Sequence, residues 1–177
     1  MYSIASLIES DTTGPWQKLA HLCEYSGLTV DAIPHFSWQT AEKYQEKATK
    51  RELSLLADIV PPFKISTSGL GVFSNDHKIL FLIIVKTREI LEIHEMLWKE
   101  LSVLAEQPKI HYSPEKWIPH ISINLYKLED SQFDCSFNEL LKNNLQFEFV
   151  VKKFGLLFLT NQSAGIDAIF PLKGIER

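Results

Sequence analysis

The sequence predicts an α+β fold built from two lobes that repeat one another about a pseudo-twofold axis, with helices outside and a cleft between. Three observations predict it. The stretch "IPHFS" at Ile33–Ser37 returns as "IPHIS" at Ile118–Ser122, so that His35 and His120 stand 85 positions apart (120 minus 35). Downstream spacing repeats too: Phe63 lies 28 residues after His35, Phe147 lies 27 after His120, and Gly71 and Gly155 each fall eight residues beyond those phenylalanines. Strand-like and helix-like periodicities also alternate along both halves. A repeat with only two units reads as a duplicated lobe, since a solenoid wants about three or more.

The elements follow in order. Alternation over Tyr2–Ile8 predicts a strand, and Pro15–Tyr25 a helix with Gly27 near its stop. "IPHFSWQ" predicts a strand, and helical spacing from Ala41 to Ala57 ends before Pro61 and Pro62, which cannot continue a helix. "FKIST" is extended, and the glycines of "SGLGVFSND" suggest a plain hairpin turn; no Gly-Lys-Ser/Thr follows them to make a phosphate loop. Ile79–Val85 is the strongest strand signal, apolar enough for burial on both faces. A helix at Glu89–Glu106, a strand at "IPHISINLY", a weaker helix near Phe137–Asn144 and strands at Phe147–Lys152, Phe154–Thr160 and Ile166–Leu172 complete the chain. The chain is expected to be one bilobal domain over 1–177, with lobe one at 1–78 and lobe two at 79–177.

Composition limits the function classes. With 177 residues, 45% hydrophobic and 23% charged, the chain is long and apolar enough to bury one core. Cys23 and Cys135 are too few and too far apart for a disulfide framework, which points to a reducing compartment. The N-terminus lacks the basic start of a secretory signal, and the apolar run Ile79–Val85 is too short to span a bilayer, so a cytoplasmic protein without a membrane partner is expected. A net charge of −4 argues against an extended nucleic-acid surface but leaves a short RNA end or a small nucleotide open as a partner, and a monomer is expected.

On a strand, successive side chains point to opposite faces. Ile121, Ile123 and Leu125 then share one face, and His120, Ser122 and Asn124 the other; Phe36 and Trp38 oppose His35, Ser37 and Gln39. Symmetric lobes would bring two imidazoles and two hydroxyls to one cleft. That set suits in-line attack on a phosphodiester, which needs a base for the nucleophile and an acid for the leaving oxygen. Two histidines with ordinary pKa near 6.5 supply both forms at neutral pH, and Ser37 and Ser122 can donate to the non-bridging oxygens. This chemistry needs no metal and no cofactor. No pair among His21, His77, His94 and His111 shows zinc-ligand spacing. His21 and His94 read as helix-surface or boundary residues, His77 and His111 as loop residues, and Trp16, Trp98 and Trp117 as packing. Tyr126 and Phe149, near the motif strands, are the candidates for base stacking.

The paired motifs His35-Phe36-Ser37 and His120-Ile121-Ser122, "GLGVF" at Gly69–Phe73 and Pro119 ahead of the second motif resemble the two-histidine phosphoesterases. These include bacterial 2′-5′ RNA ligase-like proteins and RNA 2′,3′-cyclic phosphodiesterases. The resemblance covers nearly the whole chain. It implies motifs on central strands of concave antiparallel sheets, and metal-free hydrolysis of 2′,3′-cyclic phosphate ends or 2′-5′ linkages with His120 as base and His35 as acid. Serine at both hydroxyl positions, where threonine is common, and Asp76-His77-Lys78 in a stretch often richer in arginine leave the substrate open. A non-catalytic binder of phosphorylated nucleotide or RNA ends is the alternative, together with a phosphodiesterase for a non-RNA cyclic phosphate. A pure binder has no use for two proton-transfer groups and would be better served by arginine.

Overall fold

A computed structural model describes residues 1–8, 14–25, 33–74, 78–124, 129–160 and 163–175 of the protein. The strands are β1 (Tyr2–Leu7), β2 (His35–Ala41), β3 (Lys43–Tyr44), β4 (Phe63–Phe73), β5 (Ile79–Ile84), β6 (Ala105–Glu106), β7 (His120–Ser122), β8 (Glu148–Val151), β9 (Lys153–Leu159) and β10 (Ala164–Pro171). The helices are α1 (Pro15–Tyr25), α2 (Glu46–Ile59), α3 (Arg88–Leu101) and α4 (Asp130–Leu141). No described helix is long and apolar enough to cross a membrane.

Two four-stranded antiparallel sheets carry the fold, in the orders β10-β9-β1-β2 and β7-β5-β4-β8. The duplication is visible in these orders, with β2 matching β7, β1 matching β5 and β9 matching β4. Sheet membership does not follow the expected division at residues 78 and 79. β4 leaves the first half to pair with β5, and β9 and β10 return from the second half to complete the sheet of β1 and β2. Each motif strand, β2 and β7, lies at an edge of its sheet rather than at its centre. The helices pack in matching pairs, α1 on α4 and α2 on α3. One hydrophobic cluster joins both sheets, taking in Ile4, Phe36 and Phe154 from the first and Leu80, Leu82 and Ile121 from the second.

Local chemistry explains where the elements start and stop. The helix expected from Ala41 begins at Glu46, because the chain stays extended to pair Lys43 and Tyr44 with Glu106 and Ala105 of β6. For the same reason the helix expected to reach Glu106 ends at Leu101 and gives way to a 3-10 turn at Ser102–Leu104. Thr87 caps the start of α3 by accepting from Ile90 N–H. The weak fourth helix lies earlier than expected because Glu129 and Gln132 close a reciprocal capping box. The glycine-rich stretch expected to turn is extended instead: β4 runs through Gly69 and Gly71 to Phe73, with a bulge between Thr67 and Gly69.

Candidate active site

Both motifs sit where a strand begins, and the same bonds set them. The Pro34 carbonyl accepts from Ile8 N–H at 2.8 Å, and the Pro119 carbonyl from Ile84 N–H at 3.0 Å, anchoring each motif to the end of its neighbouring strand. The Nδ1 of His35 lies 2.6 Å from the Ile33 carbonyl, and that of His120 lies 2.7 Å from the Ile118 carbonyl. A carbonyl oxygen only accepts, so each Nδ1 carries a proton, and in the neutral ring the basic nitrogen is Nε2. Alternation then sends Phe36, Trp38 and Ile121 into the core, all fully buried, and leaves His35, Ser37, His120 and Ser122 half-buried. All four line a single cleft of about 830 Å³, within the range of small-ligand sites.

The two imidazoles stand in different surroundings. Ser37 pairs across to Ala5 and then Gly155, whereas Ser122 pairs across to Phe81 and then Gly71. Small residues in the first row become an aromatic wall in the second. Phe81 lies with its ring centroid 5.1 Å from that of His120, and Phe73, stacked on Phe81 at 4.1 Å, meets the imidazole edge-on at 4.9 Å. Gly71 makes room for this wall: a Cβ there would fall 2.3 Å from the Phe81 ring. Burial therefore holds the proton affinity of His120 below that of an ordinary histidine, and the charge that His35 can carry lowers it further, against the opposing pull of the Ile118 carbonyl.

Several residues differ from the sequence-based expectation. Phe149 is 5% exposed and belongs to the core, since β8 alternates exposed Glu148 and Val150 with buried Phe149 and Val151; it cannot stack on a base in the cleft. Tyr126 lies outside the described residues, as do His77 and Gly27. Gln39 leaves the polar face because Trp38 is an extra residue in the β1–β2 ladder, and Gln39 is buried, accepting from the Tyr44 hydroxyl at 3.0 Å. Asn124 is buried beyond the end of β7, where its side chain accepts from Leu80 N–H at 2.8 Å. His94, expected at a surface or boundary, is fully buried. Trp16 and Trp117 are core residues as expected.

The cleft also holds residues that no motif announced. Ser3 donates to the Ser37 hydroxyl at 2.7 Å and so sets which way that hydroxyl can point. Tyr2, Phe73, Tyr112 and Phe158 put half-exposed aromatic side chains on its walls, and Phe158 lies over Gly165 of the next strand, where a Cβ would fall 2.9 Å from the ring. Lys109, His111 and Lys116 line it too, from the segment between β6 and β7; Lys109 is held by Glu42. Alternation along strands could have suggested Ser3, but only the pairing of β1 with β2 brings it to Ser37. Among the described residues, no three His, Cys, Asp or Glu side chains converge as a metal site would require.

Comparison with known proteins places these features. Residues 9–161 match the family described as the 2′-5′ RNA ligase superfamily. Among solved structures, TT0787 of Thermus thermophilus superimposes with a TM-score of 0.63 at 18% identity, covering 99% of this chain and 99% of that one. LigT of Escherichia coli, crystallised with 3′-AMP, superimposes with a TM-score of 0.60 at 14% identity over 97% of this chain and 99% of that one. The same protein crystallised with NADP+ gives 0.59 at 14% identity over 96% of both chains. No curated protein matches the chain significantly.

Proposed function

Because this chain belongs to the 2′-5′ RNA ligase superfamily, we propose that it hydrolyses 2′,3′-cyclic phosphate ends or 2′-5′ linkages of RNA or nucleotides by two-histidine acid/base catalysis. The observation that carries the proposal is the repeated Nδ1-to-carbonyl bond of His35 and His120, which sets the same tautomer on two histidines that line one cleft. His120 Nε2 takes a proton from water as its oxygen attacks phosphorus. The bond from phosphorus to the leaving ring or bridging oxygen breaks on the opposite side, and that oxygen takes the proton from His35 Nε2. The lowered proton affinity of His120 suits the base, which must begin neutral. Ser37 and Ser122 donate to the non-bridging oxygens, where negative charge builds. Crystallisation of Escherichia coli LigT with 3′-AMP supports a nucleotide-type ligand for the same fold.

The test is to incubate the purified protein, in EDTA, with 2′,3′-cyclic nucleotides, 2′-5′ dinucleotides and an ADP-ribose cyclic phosphate, and to identify products by phosphorus NMR. Turnover of the first two classes is expected. Turnover confined to the ADP-ribose compound would favour a non-RNA substrate; binding without turnover would favour a sensor. Complete dependence on an added divalent metal would refute the mechanism.

A further inference from the structure

The strands β2 and β7 carry the two histidines yet belong to different sheets, so no backbone ladder joins them. Side chains bridge this seam instead. Trp117, three residues before His120, donates its indole N–H to the Ser37 carbonyl at 2.9 Å. His94, fully buried on α3, stacks on Trp117 with centroids 3.9 Å apart, and Trp117 stacks on Trp38 at 5.2 Å. The Nε2 of His94 lies 3.1 Å from the Trp38 carbonyl and 3.0 Å from the Tyr112 carbonyl. Both partners only accept, so this nitrogen carries the proton and shares it between them. Trp38 is the extra residue of the β2 bulge, opposite no β1 residue in the register, and Tyr112 opens the segment that leads to His120. The other nitrogen, Nδ1, is buried without a partner among the described residues, so the ring is there for its one donor and its flat face.

We propose that His94 is a positioning residue, whose Nε2–H ties the bulged carbonyl of β2 to the segment before β7 and, with Trp117, sets the separation of His35 from His120. A leucine or phenylalanine would fill the same space beside Ile90, Ile93 and Leu97 of α3 but would leave the seam untied. The inference rests on the reading of His35 and His120 as one acid/base unit. A misplacement of reacting groups by about 1 Å can lower a rate by about 10²-fold, and such a displacement is what loss of the tie would allow.

The experiment uses the full chain carrying His94→Phe, which keeps the flat ring and removes the donor, His94→Gln, which restores an N–H donor, and Trp117→Phe. Four quantities are read: kcat and KM for 2′,3′-cyclic AMP, melting temperature, and the His120 titration followed by imidazole NMR with and without His35→Ala. For His94→Phe, kcat is expected to fall about 10-fold to 10²-fold with KM changed less than about twofold. His94→Gln should recover most of that loss, and the effect of His35→Ala on the His120 titration should shrink in the His94→Phe background. Should His94→Phe fail to fold, Trp117→Phe takes its place and is compared with the donor-keeping His94→Gln, the Trp117 change being expected to lower kcat and weaken the coupling. Wild-type kcat and wild-type coupling in His94→Phe and Trp117→Phe, or in Trp117→Phe alone where His94→Phe does not fold, would overturn the proposal whatever the melting temperature and leave His94 a packing residue. Coupling that depends on His94 in a protein that turns over none of the substrates would sink the enzymatic reading while sustaining the positioning role.

Discussion

At the scale of single residues, the Ile33 and Ile118 carbonyls do for the two imidazoles what a third catalytic group does in a triad: they fix the tautomer and the ring direction. The residues of "IPH" thus act as a unit, with proline turning its own carbonyl to the neighbouring strand and isoleucine giving its carbonyl to the ring. Under the proposed mechanism, His35→Ala and His120→Ala should each lower kcat by roughly 10²-fold to 10⁴-fold. The double variant should be little worse than the worse single one, because both groups serve one step. A substrate whose leaving group needs no proton should rescue His35→Ala and leave His120→Ala impaired; rescue of neither would make the pair electrostatic binders of phosphate. Ser37→Ala and Ser122→Ala should each cost at most about 10²-fold to 10³-fold. Ser37→Ala also removes the partner of Ser3, so Ser3→Ala should reproduce part of its effect, measured in the same steady-state assay.

At the scale of elements, the aromatic wall formed by the end of β4 and the middle of β5 makes the halves chemically unequal. His120 is lowered chiefly by burial, so its neutral form persists to a pH below the ordinary histidine value of about 6.5. If it is the base, the acidic limb of kcat/KM lies below that value. Phe73→Ala admits water beside the imidazole, raises its pKa and should move the acidic limb to higher pH; an unchanged limb would separate the wall from the titration. How far this site could be read from the sequence depended on how local each feature was. The "IPH-x-S" frame was legible because three consecutive residues create it. Gln39 and Asn124 were not, since a bulge at Trp38 and the end of the ladder after Ser122 interrupt the alternation that assigned their faces. Phe149 sits in a clean alternation with Val151, but alternation does not say which face meets the core. His94 had a signal: it falls four residues after Ile90 and three before Leu97, inside the buried stripe of α3.

At the scale of the molecule, the duplication creates a self-complementary joint. The offsets Phe63 to Phe147 and Gly71 to Gly155 are both 84 (147 minus 63, 155 minus 71). In the β4–β8 ladder Ile65 faces Phe149, its own counterpart under that offset, while Phe63 faces Val151 and Thr67 N–H donates to the Phe147 carbonyl at 2.9 Å. A pseudo-twofold axis therefore passes through the Ile65–Phe149 pair, in the way that a symmetric dimer contact is self-complementary. The sequence spacing revealed the duplication but not the exchange of β4 and β9, because spacing records which segments correspond and not which strands they pair with. The exchange leaves no cut in the sequence that separates one sheet from the other, and one hydrophobic cluster spans both. Two lobes so joined should melt together. Phe149→Ala removes a buried ring at the joint, 5% exposed, and should destabilise the whole protein by about 3–5 kcal/mol. Denaturant unfolding followed by tryptophan fluorescence and by far-ultraviolet circular dichroism should still give one coincident transition, shifted to lower midpoint with its slope unchanged. Two separated transitions in the variant would mean that each sheet holds its own fold, and that the strand exchange binds the lobes less tightly than this shared core requires.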